Sequence, residues 1–191
     1  QIDIMGKSHM GLEDGEVSLI KALEFTLFNG ICQYSNEKIG LEVGVAEEFE
    51  DFSALLSAYK KEVEYITDIT VKMANKAQEI YANFAPNPLR SAITQGCIER
   101  GRDYKNGGPL YNNGQILAEG IADTADSLAA IKYYIYETKK YTMQELKAAL
   151  NTDFVGYEEL YNDFSSFKKF GNNDEYVDSI CIDIVEHFFR Y

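Results

Sequence analysis

Tyr111-Asn112-Asn113-Gly114-Gln115-Ile116-Leu117-Ala118-Glu119-Gly120-Ile121-Ala122-Asp123-Thr124-Ala125-Asp126-Ser127-Leu128-Ala129-Ala130-Ile131-Lys132 is a polar, glycine-punctuated run that turns abruptly into an amphipathic pattern. Gly114 and Gly120 permit backbone conformations or close approaches that a Cβ forbids. Asp123 or Thr124 is placed to cap a helix over 123–137 whose apolar face is Leu128, Ile131 and Ile135. Gln115 to Ala118 reads as a short buried strand ahead of it. The stretch is a strand-to-helix corner, and by itself it names no reaction.

On its N-terminal side the dominant feature is a stripe running from Phe49 through Leu55, Tyr59, Val63, Ile66, Met73, Ile80 and Phe84. The spacing predicts one helix that ends where Pro86 and Pro88 forbid continuation. At about 1.5 Å per residue it spans on the order of 50 Å, too long for a small domain to cover by itself. A partner helix or a larger body is expected against it. Leu89, Ala92, Ile93 and Cys97 predict a shorter helix ending near Gly101, and Asp103 to Pro109 is a breaker-rich loop. Earlier still, Val17, Ile20, Leu23, Leu27 and Phe28 predict a core helix from Glu16 to Asn29, with Gly30 ending it in a left-handed conformation.

On the C-terminal side, Thr142-Met143-Gln144-Glu145 has the spacing of a capping box, so a helix starts there with Leu146, Ala149 and Leu150 facing inward. Tyr157 to Phe164 predicts another helix. Phe170 to Asp174 is a turn that caps a last helix carrying Tyr176, Ile180, Ile184 and Phe188 on one face. The chain is mainly α, with one or two short strands.

Composition bounds the functions. The 191 residues are 46% hydrophobic and 13% aromatic, enough for the core of one domain or of a piece of a larger one. A formal charge of −13 repels phosphate backbones and anionic lipid, so neither nucleic acid nor a membrane is an expected partner. No apolar run approaches the roughly 18 residues of a membrane span, and a soluble, intracellular chain is expected. Cys32, Cys97 and Cys181 are widely spaced and form no Cys-x-x-Cys pair; each reads as a small buried apolar residue. Only His9 and His187 offer imidazole, and no metal site is expected.

Gln1 to Met5 alternates like a strand, and the loop from Gly6 to Gly15 gathers Lys7, His9, Glu13 and Asp14. Loops after strands are where sites are often built. The plainer alternatives are a solvated loop or, for Ser8-His9-Met10, the remnant of a tag.

Five stretches carry a resemblance: Leu23 to Gly30 (LEFTLFNG), Cys97 to Asp103 (CIERGRD), Gly107 to Asn112 (GGPLYN), Asp126 to Lys132 (DSLAAIK) and Phe170 to Asp178 (FGNNDEYVD). In this order and spacing they resemble the middle-to-late region of glycyl radical enzymes. The branch is that of glycerol, diol and hydroxyproline dehydratases, choline lyase and arylacetate decarboxylases, commonly labelled pyruvate formate-lyase-like.

The resemblance implies that residues 1–191 form a single segment of a ten-stranded α/β barrel, usually homodimeric and cytoplasmic in anaerobes. It implies no directly bound cofactor. A glycyl radical is installed by an S-adenosylmethionine and iron–sulfur activating enzyme, and a thiyl radical then abstracts hydrogen from a small polar substrate. The catalytic cysteine loop is expected ahead of Gln1 and the radical glycine beyond Tyr191, so the chain alone is expected to be inactive. It needs the remainder of the enzyme chain or a complementary subunit. None of the three cysteines matches the catalytic loop, and no residue here is assigned as catalytic. If the first loop follows that cysteine, Gln1, His9, Glu13 and Asp14 lie at the cavity rim as substrate-binding candidates, with Glu13 or Asp14 binding a hydroxyl or ammonium group. The alternative reading is a stand-alone helical module kept for binding or assembly.

Overall fold

The computed structural model describes residues 6–10 and 14–191, with the side chains of His9 and Met10 left aside. The strand expected over Gln1 to Met5 lies outside the described residues. Among the described residues the elements are mostly helical. In order they are β1 (Ser8–Met10), β2 (Gly15–Ser18), α1 (Leu19–Leu27), α2 (Phe52–Phe84), α3 (Pro88–Ala92), α4 (Cys97–Arg100), β3 (Tyr111–Asn113), β4 (Ile116–Glu119), α5 (Ile121–Ile131), α6 (Met143–Asn151), α7 (Glu158–Ser166) and α8 (Glu175–Arg190). A 3-10 turn covers Ala46–Glu48 and a π-helical turn covers Lys132–Glu137.

Among the described residues there are four short strands where one or two are expected. β1 pairs in parallel with β3, setting Ser8 against Tyr111, His9 against Asn112 and Met10 against Asn113. β2 pairs with β4. Three- and four-residue strands carry too little alternation to stand out in sequence. β2 also takes the residues expected to open the first helix. That helix starts at Leu19 because the Ser18 hydroxyl accepts the Lys21 N–H at 3.3 Å.

The chain divides into two compact units. The first comprises Gln1–Val17 and Thr67–Leu117. Here the expected helix from Leu89 to Gly101 is broken in two, since Gly96 stands at φ +98 between α3 and α4. A Cβ on Gly96 would lie 2.7 Å from the Gly108 carbonyl oxygen, so the break is set by close backbone approach. Asp103 ties this unit's loops together, accepting from Asn87 N, the Ser91 hydroxyl and Lys105 N at 2.8–2.9 Å. Burial pushes its carboxyl pKa up, but these hydrogen bonds outweigh that and hold it below the usual value. The second half of the long stripe on α2 is largely uncovered: Met73 is 67% exposed and Phe84 83%.

The second unit comprises Ser18–Ile66 and Ala118–Tyr191. Its core is built from α1, the first half of α2, α5 and α8, with Leu19, Leu55, Tyr59, Leu128 and Val177 buried. Ala125 and Ala129 let α5 and α8 approach closely. Lys60 pairs with Asp183 at 2.7 Å, and His187 Nε2 sits 3.3 Å from both the Lys60 carbonyl and a Glu64 carboxylate oxygen, tying α8 to α2. The buried Glu62 carboxylate accepts the Leu41 N–H at 2.9 Å.

Two expected caps differ in outcome. The Thr142 box is formed, with Glu145 N donating to Thr142 Oγ1 at 3.1 Å and Thr142 N to Glu145 Oε2 at 2.8 Å. α5, in contrast, is capped by neither Asp123 nor Thr124. It begins two residues earlier behind Gly120 at φ +75, and the Thr124 hydroxyl instead donates back to the Gly120 carbonyl at 2.7 Å. Leu146 and Ala149 are buried as expected, whereas Leu150 is 39% exposed.

Candidate functional site

The loop after β1 and the loop between β3 and β4 meet through Asp14. One carboxylate oxygen accepts the Gln115 N–H at 2.8 Å, and the other accepts the Gln78 carboxamide from α2. Gly114 stands beside it, where a Cβ would lie at an ordinary contact distance of 3.4 Å from Asp14 Oδ2. Gly15 is the constrained position, because a Cβ there would collide with the Thr70 methyl. The chain therefore turns at Asp14-Gly15 with little freedom, and the carboxylate is fixed before any ligand arrives.

Asp14 lines a pocket of about 520 Å³ within the first unit. Asn75, Gln78 and Glu79 come from α2, Lys105 and Asn106 from the breaker loop, and Asn112, Asn113 and Gln115 from the glycine-bearing run. Carboxamides both donate and accept, so this wall can match hydroxyl, ammonium and carboxylate groups of a small polar molecule. Lys105 extends its ammonium over the Tyr81 ring, 4.7 Å from the centroid. Lys76 pairs with Glu79 at 2.7 Å.

Of the four binding candidates, Gln1 and Glu13 lie outside the described residues. His9 is placed by register alone, opposite Asn112, itself a pocket residue. Asp14 is in the pocket. Sequence reasoning missed Gln78 and Asn75, whose helix face carries no local motif. It did single out the run from Tyr111, though as a packing corner. None of the three cysteines lines the pocket, and all three are buried. Burial raises the Cys97 and Cys181 thiol pKa values. Cys32 is drawn down to about 7, chiefly by hydrogen bonds from Ser35. Among the described residues no group of three or more His, Cys, Asp and Glu could hold a metal ion. Nor is any helix among them long and apolar enough to cross a membrane.

Residues 1–191 match the family described as "Pyruvate formate lyase-like". Trans-4-hydroxy-L-proline dehydratase of Clostridioides difficile is 39% identical over 177 residues, covering 92% of this chain and 22% of that protein. (2S)-3-sulfopropanediol dehydratase of Klebsiella oxytoca is 28% identical over 193 residues, covering 100% of this chain and 23% of that protein. The crystal structure of hydroxyproline dehydratase from C. difficile with trans-4-hydroxy-L-proline bound superposes with a TM-score of 0.90 at 37% identity, covering 97% of this chain and 23% of that one. The glycerol-bound form of the B12-independent glycerol dehydratase from Clostridium butyricum gives 0.90 at 30%, with the same coverage. The chain thus spans under a quarter of the length of these relatives.

Proposed function

The chain belongs to the pyruvate formate lyase-like family of glycyl radical enzymes, and on that premise we propose that it is part of a glycyl radical lyase or dehydratase in which the Asp14 pocket forms a polar wall of the substrate site. The observation that carries the reading is the preset Asp14 carboxylate, held by Gln78 and Gln115 inside a carboxamide-lined pocket. A fixed carboxylate binds a hydroxyl or ammonium group without reorganising when the ligand arrives. The surrounding amides orient the rest of a small polar molecule and displace water from it.

The glycyl radical, acting through a thiyl, would supply hydrogen-atom abstraction followed by elimination. That chemistry is assigned to residues other than those of this chain, because no cysteine here reaches the pocket. The part of this chain is to bind and to orient. Its other proposed associations follow from the same premise: the remainder of the ten-stranded barrel or a complementary subunit, a homodimeric partner, and an S-adenosylmethionine and iron–sulfur activating enzyme in the cytoplasm. Residues 1–191 act as one segment of that barrel and are inactive alone. The uncovered apolar stretch of α2, with Met73 and Phe84, supports a missing covering body.

The same stretch also fits the second reading, a helical assembly module. The parent reading frame separates the two. A Gly-Cys loop encoded upstream and a glycyl-radical motif downstream is the expected result. A frame ending at both Gln1 and Tyr191, with no complementary gene beside it, would contradict the first reading and leave the second.

A further inference from the structure

The second unit holds a cavity of about 680 Å³ between α1, α5, α6 and α7. Among the described residues none lines both this cavity and the Asp14 pocket. Its volume falls within the roughly 300–1,000 Å³ of small-ligand sites. Four aromatic residues line it, Phe28, Phe154, Tyr161 and Phe164. Phe154 and Tyr161 meet edge to face with centroids 5.3 Å apart. Phe28 carries the Lys147 ammonium 5.4 Å from its centroid, and Glu47 neutralises that ammonium at 2.7 Å, which leaves Phe154, Tyr161 and Phe164 as the rings available to a ligand.

The backbone under the rings is unusual. Asp153 and Phe154 stand in succession at φ +51 and φ +62, and the Phe154 N–H donates to the Ala149 carbonyl at 2.7 Å. A bulky side chain rarely adopts that region, and such residues concentrate at ligand clamps.

The charges on the rim are uneven. Lys21 pairs with Glu24 at 2.7 Å, and Glu24 also accepts the Gln33 N–H at 2.9 Å. Asp126 accepts the Phe170 N–H at 2.7 Å, and Lys169 donates to the Phe164 carbonyl at 3.2 Å. The exposed Asp123 carboxylate makes no hydrogen bond or ion pair among the described residues. An anion placed here would meet an uncompensated carboxylate, and a neutral hydrocarbon would make no use of it.

We propose that this cavity binds a small organic ammonium ion with an apolar body, its charge set between the aromatic faces and the Asp123 carboxylate. The body fills the space between the helices, and the net charge of −13 favours approach of a cation over an anion. The inference does not depend on the Asp14 pocket, and its test does not involve turnover.

The test is calorimetric titration of the full-length protein that carries residues 1–191 with benzyltrimethylammonium, alongside benzyl alcohol and benzenesulfonate. The cation is expected to bind saturably at one site and to weaken as salt rises, with the alcohol weaker by about tenfold and the sulfonate not binding. Phe154→Gly removes the ring but accepts the left-handed backbone, so melting is unchanged or raised while binding falls by at least about tenfold. Asp123→Asn is expected to weaken binding by about three- to tenfold while the helix signal is kept. Equal binding of cation and alcohol would overturn the proposal. So would wild-type binding by both variants, or the lack of saturation below ~10 mM.

Discussion

Asp14 and Gln115 are joined by a carboxylate-to-amide hydrogen bond of 2.8 Å across 101 positions of sequence, and the Gln78 carboxamide holds the other Asp14 oxygen. This bond links the first loop to the glycine-bearing run and fixes the carboxylate on the pocket wall. If the three groups act as a unit, their deletions are not additive. A double-mutant cycle on Asp14→Ala and Gln78→Ala, read by urea unfolding, is expected to show a coupling of about 1 kcal/mol. Strict additivity would mean that the two side chains meet without stabilising each other.

Glu62 gives the unit around α2 a pH dependence. Burial pushes its carboxyl up to about 7 from 4.5, against the opposing Leu41 N–H bond. With the folded value above the unfolded one, its contribution to stability is full below about pH 4.5 and is lost as pH rises through about 7. Glu62→Gln keeps an acceptor for Leu41 and removes the titration. Above pH 7 the variant is expected to be more stable than wild type by up to about 3 kcal/mol, with the difference shrinking toward pH 5. Parallel melting curves from pH 5 to 8 for the two proteins would refute this.

Gly30 and Gly156 both have positive φ, at +84 and +83, but only Gly30 is crowded. A Cβ on Gly30 would lie 2.6 Å from the Gly40 carbonyl oxygen, whereas nothing stands within 4 Å at Gly156. Gly156→Ala is expected to cost about 1 kcal/mol, the left-handed penalty alone. Gly30→Ala adds a backbone collision and should cost at least about 2 kcal/mol more. Equal costs, read by chemical denaturation, would show that the two loops yield alike.

The Tyr136 hydroxyl is buried without a hydrogen-bond partner among the described residues, while its ring meets Phe52 edge to face at 6.3 Å. Tyr136→Phe preserves the ring contact and removes the unsatisfied group. Its melting temperature is expected to equal or exceed that of wild type, by up to about 1 kcal/mol in stability. A clear loss of stability would reveal a partner for the hydroxyl.

The parts of this fold that were legible in sequence are those with local causes. Thr142 and Glu145 cap one another across three residues, Pro86 ends α2, and Gly30 is left-handed after α1, although the helix stops at Leu27 and Asn29 turns left-handed first. What was hidden depends on partners distant in sequence. Gly96 breaks a helix because Gly108 comes close, and the cap of α5 moved to Gly120, whose missing Cβ leaves room beside Ile20. Periodicity marks apolar positions only, so Glu62 passed unnoticed although it is fully buried on the same helix as Tyr59. The site was half legible. A loop rich in ionisable groups pointed to Asp14, but nothing local announces that Gln78 will meet it from 64 residues away.

The most direct measurement uses a chimera of the trans-4-hydroxy-L-proline dehydratase of C. difficile in which the matching segment is replaced by residues 1–191. The host supplies the radical-bearing parts, and the inserted chain supplies the Asp14 pocket. After anaerobic activation, glycyl radical content and kcat/KM are read together for the chimera and its Asp14→Asn variant. The account predicts equal radical content and a kcat/KM lowered by at least about tenfold in the variant, the loss of a charge-assisted contact to substrate. A variant that turns over as fast as its parent, with equal radical content, would contradict it.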